Sequence, residues 1–371
     1  MNAERPHAVA NAIKIDLSKS NIVSHLQQLV SALQNQINQP GQPQYQQQVS
    51  QFYEVLQAAL RTAAVNDFSP AWRQMLEELG AAGLLGSELE GKIAEIFARN
   101  QITPSVANQE LQQLLTNLQA FSNSIDQLVV AFRQLQIGSE ELERGECEVG
   151  ILVPRVFVNN RLDKFSDELN ELNQILGVFA ELATSSRPGF NIRTISSTDL
   201  SVFLEAIPVV GACIAVAVER IIGLYKQLLE IRKLQGDLAK QGLEKKNLKG
   251  IEDHANGLME KGIDALVKEL LAEFHKKEDQ GRANELSIEL KFALKKIANR
   301  VDRGFNIEVR MEEPESTPED GSTDGQPTGS DAAKNHARIQ AASKGLQFLK
   351  LDGDPILSLP EEKADRPKKS Q

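Results

Sequence analysis

From Leu200 to Val301, apolar side chains return every three or four positions along an otherwise highly charged chain. That is the period of one buried face on an α-helix. Ile221, Ile222, Tyr225, Leu228, Leu229 and Ile231 lead on to Leu238, and Gly242 is placed to end the run. A return path follows through Leu248, Ile251, Ala255, Leu258, Ile263, Leu266 and Leu270, then Leu286, Leu290, Leu294, Ile297 and Val301. The near-heptad spacing predicts a long, coiled-coil-like helical hairpin over 199–301. Ser197-Thr198-Asp199 would cap its start, and Pro208 and Gly211 would kink it early on.

Composition agrees with this emphasis on helix. Aromatics make up 5% of the chain, with three Tyr and one Trp, so strand formers are scarce. Leu, Ala, Gln, Glu and Lys dominate instead, and these lose little rotamer freedom in a helix. Residues 1–20 read as a flexible N-terminus, and 21–140 as a helical bundle. Within the bundle, Ile22, Leu26, Leu29, Val30 and Leu33 form one stripe before the break at Gln39–Pro43. Ser69-Pro70 and Thr103-Pro104 each pair a capping side chain with proline at the first helical position.

Residues 146–311 change character. Three short apolar runs predict strands: Val149–Val153, Phe190–Ile195 and Phe305–Met311. A helix through Leu162, Phe165, Leu169, Leu172, Ile175 and Leu176 joins the first two, and such a crossover permits parallel pairing. The second and third strands open with the same words, Gly189-Phe190-Asn191-Ile192 and Gly304-Phe305-Asn306-Ile307. The expected fold is therefore mainly α with a small α/β element. An N-terminal helical bundle precedes a two-layer unit of strand, helix, strand, long helical hairpin and strand. Residues 312–335 are acidic and poor in large apolar side chains, as expected of a disordered linker. Residues 336–371 carry one apolar island at 346–359, expected to be a small hairpin or an extended docking segment. There Phe348, Leu349 and Leu351 are separated from Ile356, Leu357 and Leu359 by Asp352-Gly353-Asp354-Pro355.

The search for chemistry yields little. The sequence contains no phosphate loop, no GxGxxG after a strand, no GxSxG and no HExxH. Its five histidines (His7, His25, His254, His275 and His336) are dispersed. No catalytic residue, metal site or cofactor is predicted. The net charge is −10, and the basic clusters Lys245/Lys246/Lys249 and Lys295/Lys296/Arg300/Arg303 have acidic neighbours and read as solvated helix faces. No nucleic-acid partner is expected. Cys147 and Cys213 form no CxxC pair, and Met1–Lys14 lacks an apolar secretory run, so the cytoplasm is the expected compartment.

Three features stand above background. Ser196, Ser197, Thr198 and Asp199 end the second strand before a helix, and Arg155 would leave a parallel first strand on the same edge, so a small anion could bind there. Residues 202–218 include Val209, Val210, Gly211, Ile214, Ala215 and Val218, an apolar run that suits either a buried helix or conditional insertion into a membrane. Phe348, Leu349, Leu351, Ile356, Leu357 and Leu359 could dock a partner through an extended segment, or fold back on their own domain. The favoured function is a non-enzymatic interaction or scaffold protein that self-associates or binds a protein partner. The alternatives are a membrane-perturbing effector that inserts the helix 202–218, and a binder of, or enzyme acting on, a small anionic ligand near Arg155 and Ser196–Asp199.

Overall fold

A computed structural model describes residues 3–81, 83–139, 142–196, 200–240, 245–275, 280–315, 329–346, 349, 351 and 353–361. The chain divides into two compact units, Met1–Glu141 and Leu142–Gln371. Both are mainly helical, and the only sheet among the described residues lies in the second.

The first unit holds α1 (Glu4–Ser20), α2 (Ile22–Asn38), α3 (Pro43–Arg61), α4 (Pro70–Glu78), α5 (Gly86–Arg99) and α6 (Pro104–Gln134). The stripe Ile22, Leu26, Leu29 and Leu33 on α2 is buried against α3 and α6, in one core with Leu56, Leu60, Leu111 and Leu118. Residues 4–20, expected to be flexible, form α1 and bury Val9 and Ile13 completely. Their period is hard to read in the sequence because Arg5, His7 and Asp16 are buried on the same helix. Asp16 Oδ1 accepts the amide of Ala64 at 2.6 Å, tying a short 3-10 turn (Ala64–Asp67) to α1. Burial raises this carboxyl above its ordinary range, against the pull of the Ala64 and Val65 amides. Ser69 caps α4, its Oγ accepting from the Trp72 amide at 3.4 Å. Thr103 makes no side-chain cap on α6, and its hydroxyl donates to Asn100 Oδ1 at 3.3 Å.

In the second unit β1 (Cys147–Val153), β2 (Asn191–Ser196), β3 (Leu200–Ala206) and β4 (Asn306–Met311) form a sheet in the order β2-β3-β1-β4. Every pairing is antiparallel, with Val149 opposite both Leu204 and Val309. The expected parallel pair of β1 and β2 does not form, because β3 lies between them. Residues 200–206, read above as the start of a helix, are that strand. Two glycine-led strands, β2 and β4, became the two edges of the sheet.

The helices are α7 (Leu162–Thr184), α8 (Pro208–Lys240), α9 (Lys245–Phe274), α10 (Gln280–Asp302) and α11 (Gly329–Gly345). Pro208 begins α8 rather than kinking it, as its missing N–H and fixed φ suit a first helical position. Among the described residues, the segment expected to be one hairpin thus holds a strand and three helices. Nor do its helices form a free arm: α8 packs against α7, α9, α10 and α11. Residues Gly242 and 316–328, the latter most of the acidic linker, lie outside the described residues.

Gly211 lets α8 close on the sheet. A Cβ built there would fall 2.2 Å from Cys147 Sγ and 3.3 Å from Val309 Cγ1. Gly211→Val is therefore expected to destabilise the unit by about 1–3 kcal/mol through overpacking. Cys147→Ala in the same chain should recover most of the loss, as thermal melting of the single and double variants would reveal. Both cysteines are free and buried. Burial, aided by Glu148, pushes the Cys147 thiol up to about 12, and burial raises Cys213 further, so neither is a poised nucleophile.

Candidate functional site

The best-constructed polar site in the second unit holds a piece of its own chain. Residues Gly353–Glu361 cross α8, α9 and α10 as a strap without helix or strand. Its main chain is gripped by side chains from all three helices. Asp302, the last residue of α10, accepts the amides of Ile356 and Leu357 on Oδ2, at 2.8 and 2.7 Å. One turn earlier, Asn299 brackets Leu359, its Oδ1 accepting the amide and its Nδ2 donating to the carbonyl, both at 3.0 Å. Asn256 on α9 accepts the Ser358 amide at 2.9 Å and donates to Ser358 Oγ at 3.3 Å. Arg232 on α8 donates to the Gly353 carbonyl at 2.6 Å.

Behind these contacts lies a buried ionic network. Arg232 Nη1 donates to Asp302 Oδ1 at 2.8 Å, to the Asp302 carbonyl at 2.7 Å and to the Tyr225 hydroxyl at 2.6 Å. Tyr225 in turn donates to Asp302 Oδ1 at 2.5 Å. A carboxylate at a helix C-terminus opposes the helix dipole, and the guanidinium offsets it by meeting both the carboxylate and the last carbonyl. The two carboxylate oxygens thus accept four hydrogen bonds, filling the sites such a group offers. Burial, reinforced by the Asp302 charge, holds the Tyr225 phenol well above its usual range, so it stays a neutral donor.

The sockets are apolar. Ile356, Leu357 and Leu359 are 2%, 2% and 4% exposed and belong to the same core as Tyr225, Leu228, Met259 and Val301, while Gly353–Pro355, Ser358 and Pro360 face solvent. At the last described residue, Glu361, Oε1 accepts from Asn299 Nδ2 at 2.7 Å and Oε2 lies 3.9 Å from Arg300 Nη1.

The residues singled out in the sequence are distributed differently. Of the expected docking set, Ile356, Leu357 and Leu359 are seated in this groove, Leu349 and Leu351 pack half-buried on the core, and Phe348 lies outside the described residues. Ser196 ends β2 opposite Ser201 of β3, and Ser197, Thr198 and Asp199 lie outside the described residues. Leu200, where the helix was expected to begin, opens β3 instead, so the helix N-terminus on which an anion site depended is not found among the described residues. Arg155 is exposed after β1 and donates to Asn160 Oδ1 at 2.8 Å. On α8, Val210, Gly211, Ile214, Ala215 and Val218 are buried and Val209 is half-buried. Pro208–Leu238 is long and apolar enough to cross a membrane by length and composition, yet 61% of its most apolar stretch is buried within the fold.

The cluster around Lys295 is not a solvated face. Lys295 pairs with Glu260, Lys296 with Glu171 and Arg300 with Glu168, and the side chains of Lys295 and Arg300 are 6% and 5% exposed. No group of three or more His, Cys, Asp or Glu suited to a metal ion occurs among the described residues. Sequence reasoning missed the gripping residues Arg232, Asn256, Asn299 and Asp302. The available signal was a charged or amide side chain on a stripe otherwise apolar, as with Arg232 one heptad after Tyr225. Comparison with protein-family models, curated proteins and solved structures returned no match.

Proposed function

We propose that this chain is a non-enzymatic, cytoplasmic interaction protein that acts by holding extended protein segments, from a partner or from another copy, in the groove formed by α8, α9 and α10. One observation carries this reading. Four side chains grip six main-chain groups of a segment that has no secondary structure of its own. Recognition through the main chain, with pockets for selected side chains, is how many proteins bind unfolded segments. The free, buried thiols suit a reducing compartment.

The reading is tested by purifying the tagged chain from its native host without detergent and weighing the assembly. A partner, or a second copy, should be recovered in near-equal amount. Asn256→Ala combined with Asn299→Ala should reduce that recovery at least about tenfold, the loss of three main-chain hydrogen bonds. Recovery of a lone monomer, unchanged by the double substitution, would overturn it.

A further inference from the structure

We infer that the outer side of the α8–α9 pair is a self-association surface, on which a second copy of this chain lays the same two helices to complete a four-helix bundle. The inference is independent of the groove, which lies on the other side of both helices.

The core uses only part of the heptad pattern in the sequence. Tyr225, Leu228, Ala255 and Met259 are buried. A second set recurs every seven residues beside them: Leu224, Ile231 and Leu238 on α8, with Ile251, Leu258 and Ala265 on α9. Leu258 is 42% exposed and Leu234, on the same side of α8, is 55% exposed. Leu224, Ile231, Leu238 and Ile251 are half-buried. Leu234 and Leu258 each follow a residue that grips the strap, Arg232 or Asn256, by two positions, which is about 200° round a helix. The strap therefore runs over the opposite side.

The apolar strip has a defined base. Arg220 and Glu269 pair across it at 3.2 Å. Leu224 then meets α9 at Gly262, where an added Cβ would fall 2.5 Å from Leu224 Cδ1. From Leu224 to Leu238 the strip runs about 21 Å along α8. Gly250 and Gly257 stand beside Ile251 and Leu258, and a Cβ on either would meet nothing within 4 Å. Glycine weakens a helix interior relative to alanine. A second helix lying close against these positions gives them a use.

Charge identifies the occupant. His254, Lys261 and Lys268 recur every seven residues on the rim of α9, and Glu230 and Asp237 on the rim of α8, all exposed. The acids of α9 lie on the next line round, where Lys295 holds Glu260 and Lys291 holds Asp264. The contacts of Leu224 with Gly262 and of Gln235 with Glu252 place Glu230 level with the stretch between His254 and Lys261. A two-fold axis parallel to the helices lays α8 of each copy over α9 of the other. Glu230 of each copy then faces His254 and Lys261 of the other, and every contact occurs twice. A two-fold axis crossing the helices would set basic rim on basic rim and acidic on acidic, which costs affinity. The surface is thus complementary to itself in one orientation, with apolar positions inside and opposite charges flanking them.

Sedimentation equilibrium of the full chain tests the inference. A dimer is expected, with a Kd on the order of 10 µM or tighter. Leu234→Glu with Leu258→Glu should raise that Kd at least about 100-fold. Both side chains are exposed, so circular dichroism and melting should match the unaltered chain. Lys261→Glu should raise the Kd about tenfold, and Lys261→Glu with Glu230→Lys should restore it, as a contact between copies requires. If the leucine variant does not fold, the charge variants decide alone. Asn256→Ala with Asn299→Ala should leave the dimer unchanged.

A chain that stays monomeric at concentrations on the order of 100 µM would overturn the inference and leave the groove reading intact. So would a dimer indifferent to the folded leucine variant, or one that the charge exchange does not restore. A dimer lost on Asn256→Ala with Asn299→Ala would also overturn it, since the second copy would then engage the groove instead.

Discussion

Asp302→Ala is expected to lower the stability of the Leu142–Gln371 unit by about 3–5 kcal/mol, the usual cost of leaving one partner of a buried ion pair uncompensated. Arg232 is 5% exposed and Asp302 fully buried, so water cannot replace the missing carboxylate. The damage is not confined to the pair. The amides of Ile356 and Leu357 lose their acceptor, and the Tyr225 hydroxyl loses the group it donates to. Asp302→Asn retains an acceptor oxygen but not the charge, and its loss should be intermediate. Calorimetry gives the magnitudes, and amide hydrogen exchange locates them: the Ile356 and Leu357 amides should exchange freely in the alanine variant. An Ala variant that melts like the unaltered protein, with those amides still protected, would refute the role given to Asp302. Arg232→Leu with Asp302→Leu should not restore stability, although hydrophobic replacement of a buried pair often does. Here the pair also satisfies main-chain groups of the strap, which leucine cannot.

What the sequence made legible follows from where the physics is local. Stripes such as Ile22, Leu26, Leu29 and Leu33 depend only on helical period, and they are buried. Ser69-Pro70 and Pro104 marked helix starts because capping and a missing N–H act within one turn. The segment 200–206 failed for the opposite reason. Leu200-Ser201-Val202-Phe203-Leu204 is short enough to serve as either element, and its pairing with β1 is nonlocal. Once that strand was taken for helix, Pro208 had to be read as a kink, and the sheet acquired a parallel pair it does not contain. The groove was half legible. Ile356, Leu357 and Leu359 announced a buried segment, but Asp302 and Asn299 lie more than fifty positions from the amides they hold. Asp302 falls inside the basic cluster that reads as a solvated helix face, and nothing local to Asn299 marks it out.

The same nonlocality hides the pair Glu168–Arg300, for which the second large effect is expected. Arg300 on α10 meets Glu168 on α7 with two bonds, Nε to Oε1 at 2.6 Å and Nη2 to Oε2 at 2.9 Å. Its guanidinium also lies 6.0 and 5.9 Å from the ring centres of Phe157 and Phe305. Burial pushes the Glu168 carboxyl above the ordinary glutamate range, by more than Arg300 pulls it back. Arg300→Met is expected to cost about 3–5 kcal/mol near neutral pH, because it strands that carboxylate. The cost should depend on pH with a definite sign. In the native protein Glu168 binds its proton more tightly than in the unfolded chain. Its contribution is therefore present below the ordinary glutamate value and is lost as pH rises through the native one. Removing Arg300 raises the native value further, so the variant keeps losing stability over a range in which the unaltered protein has levelled off. Denaturant titrations from acid to neutral pH should show the two stabilities converging toward the acid side, leaving only the packing lost with the guanidinium. Arg300→Met with Glu168→Leu should be closer to the unaltered protein than either single change and nearly independent of pH in this range. A single-variant cost that is flat with pH, or a double variant that is simply additive, would refute this account of the pair. Because Glu361 approaches the same guanidinium, Arg300→Met should also loosen the end of the strap, and the two buried pairs of α10 thereby secure the groove at both ends.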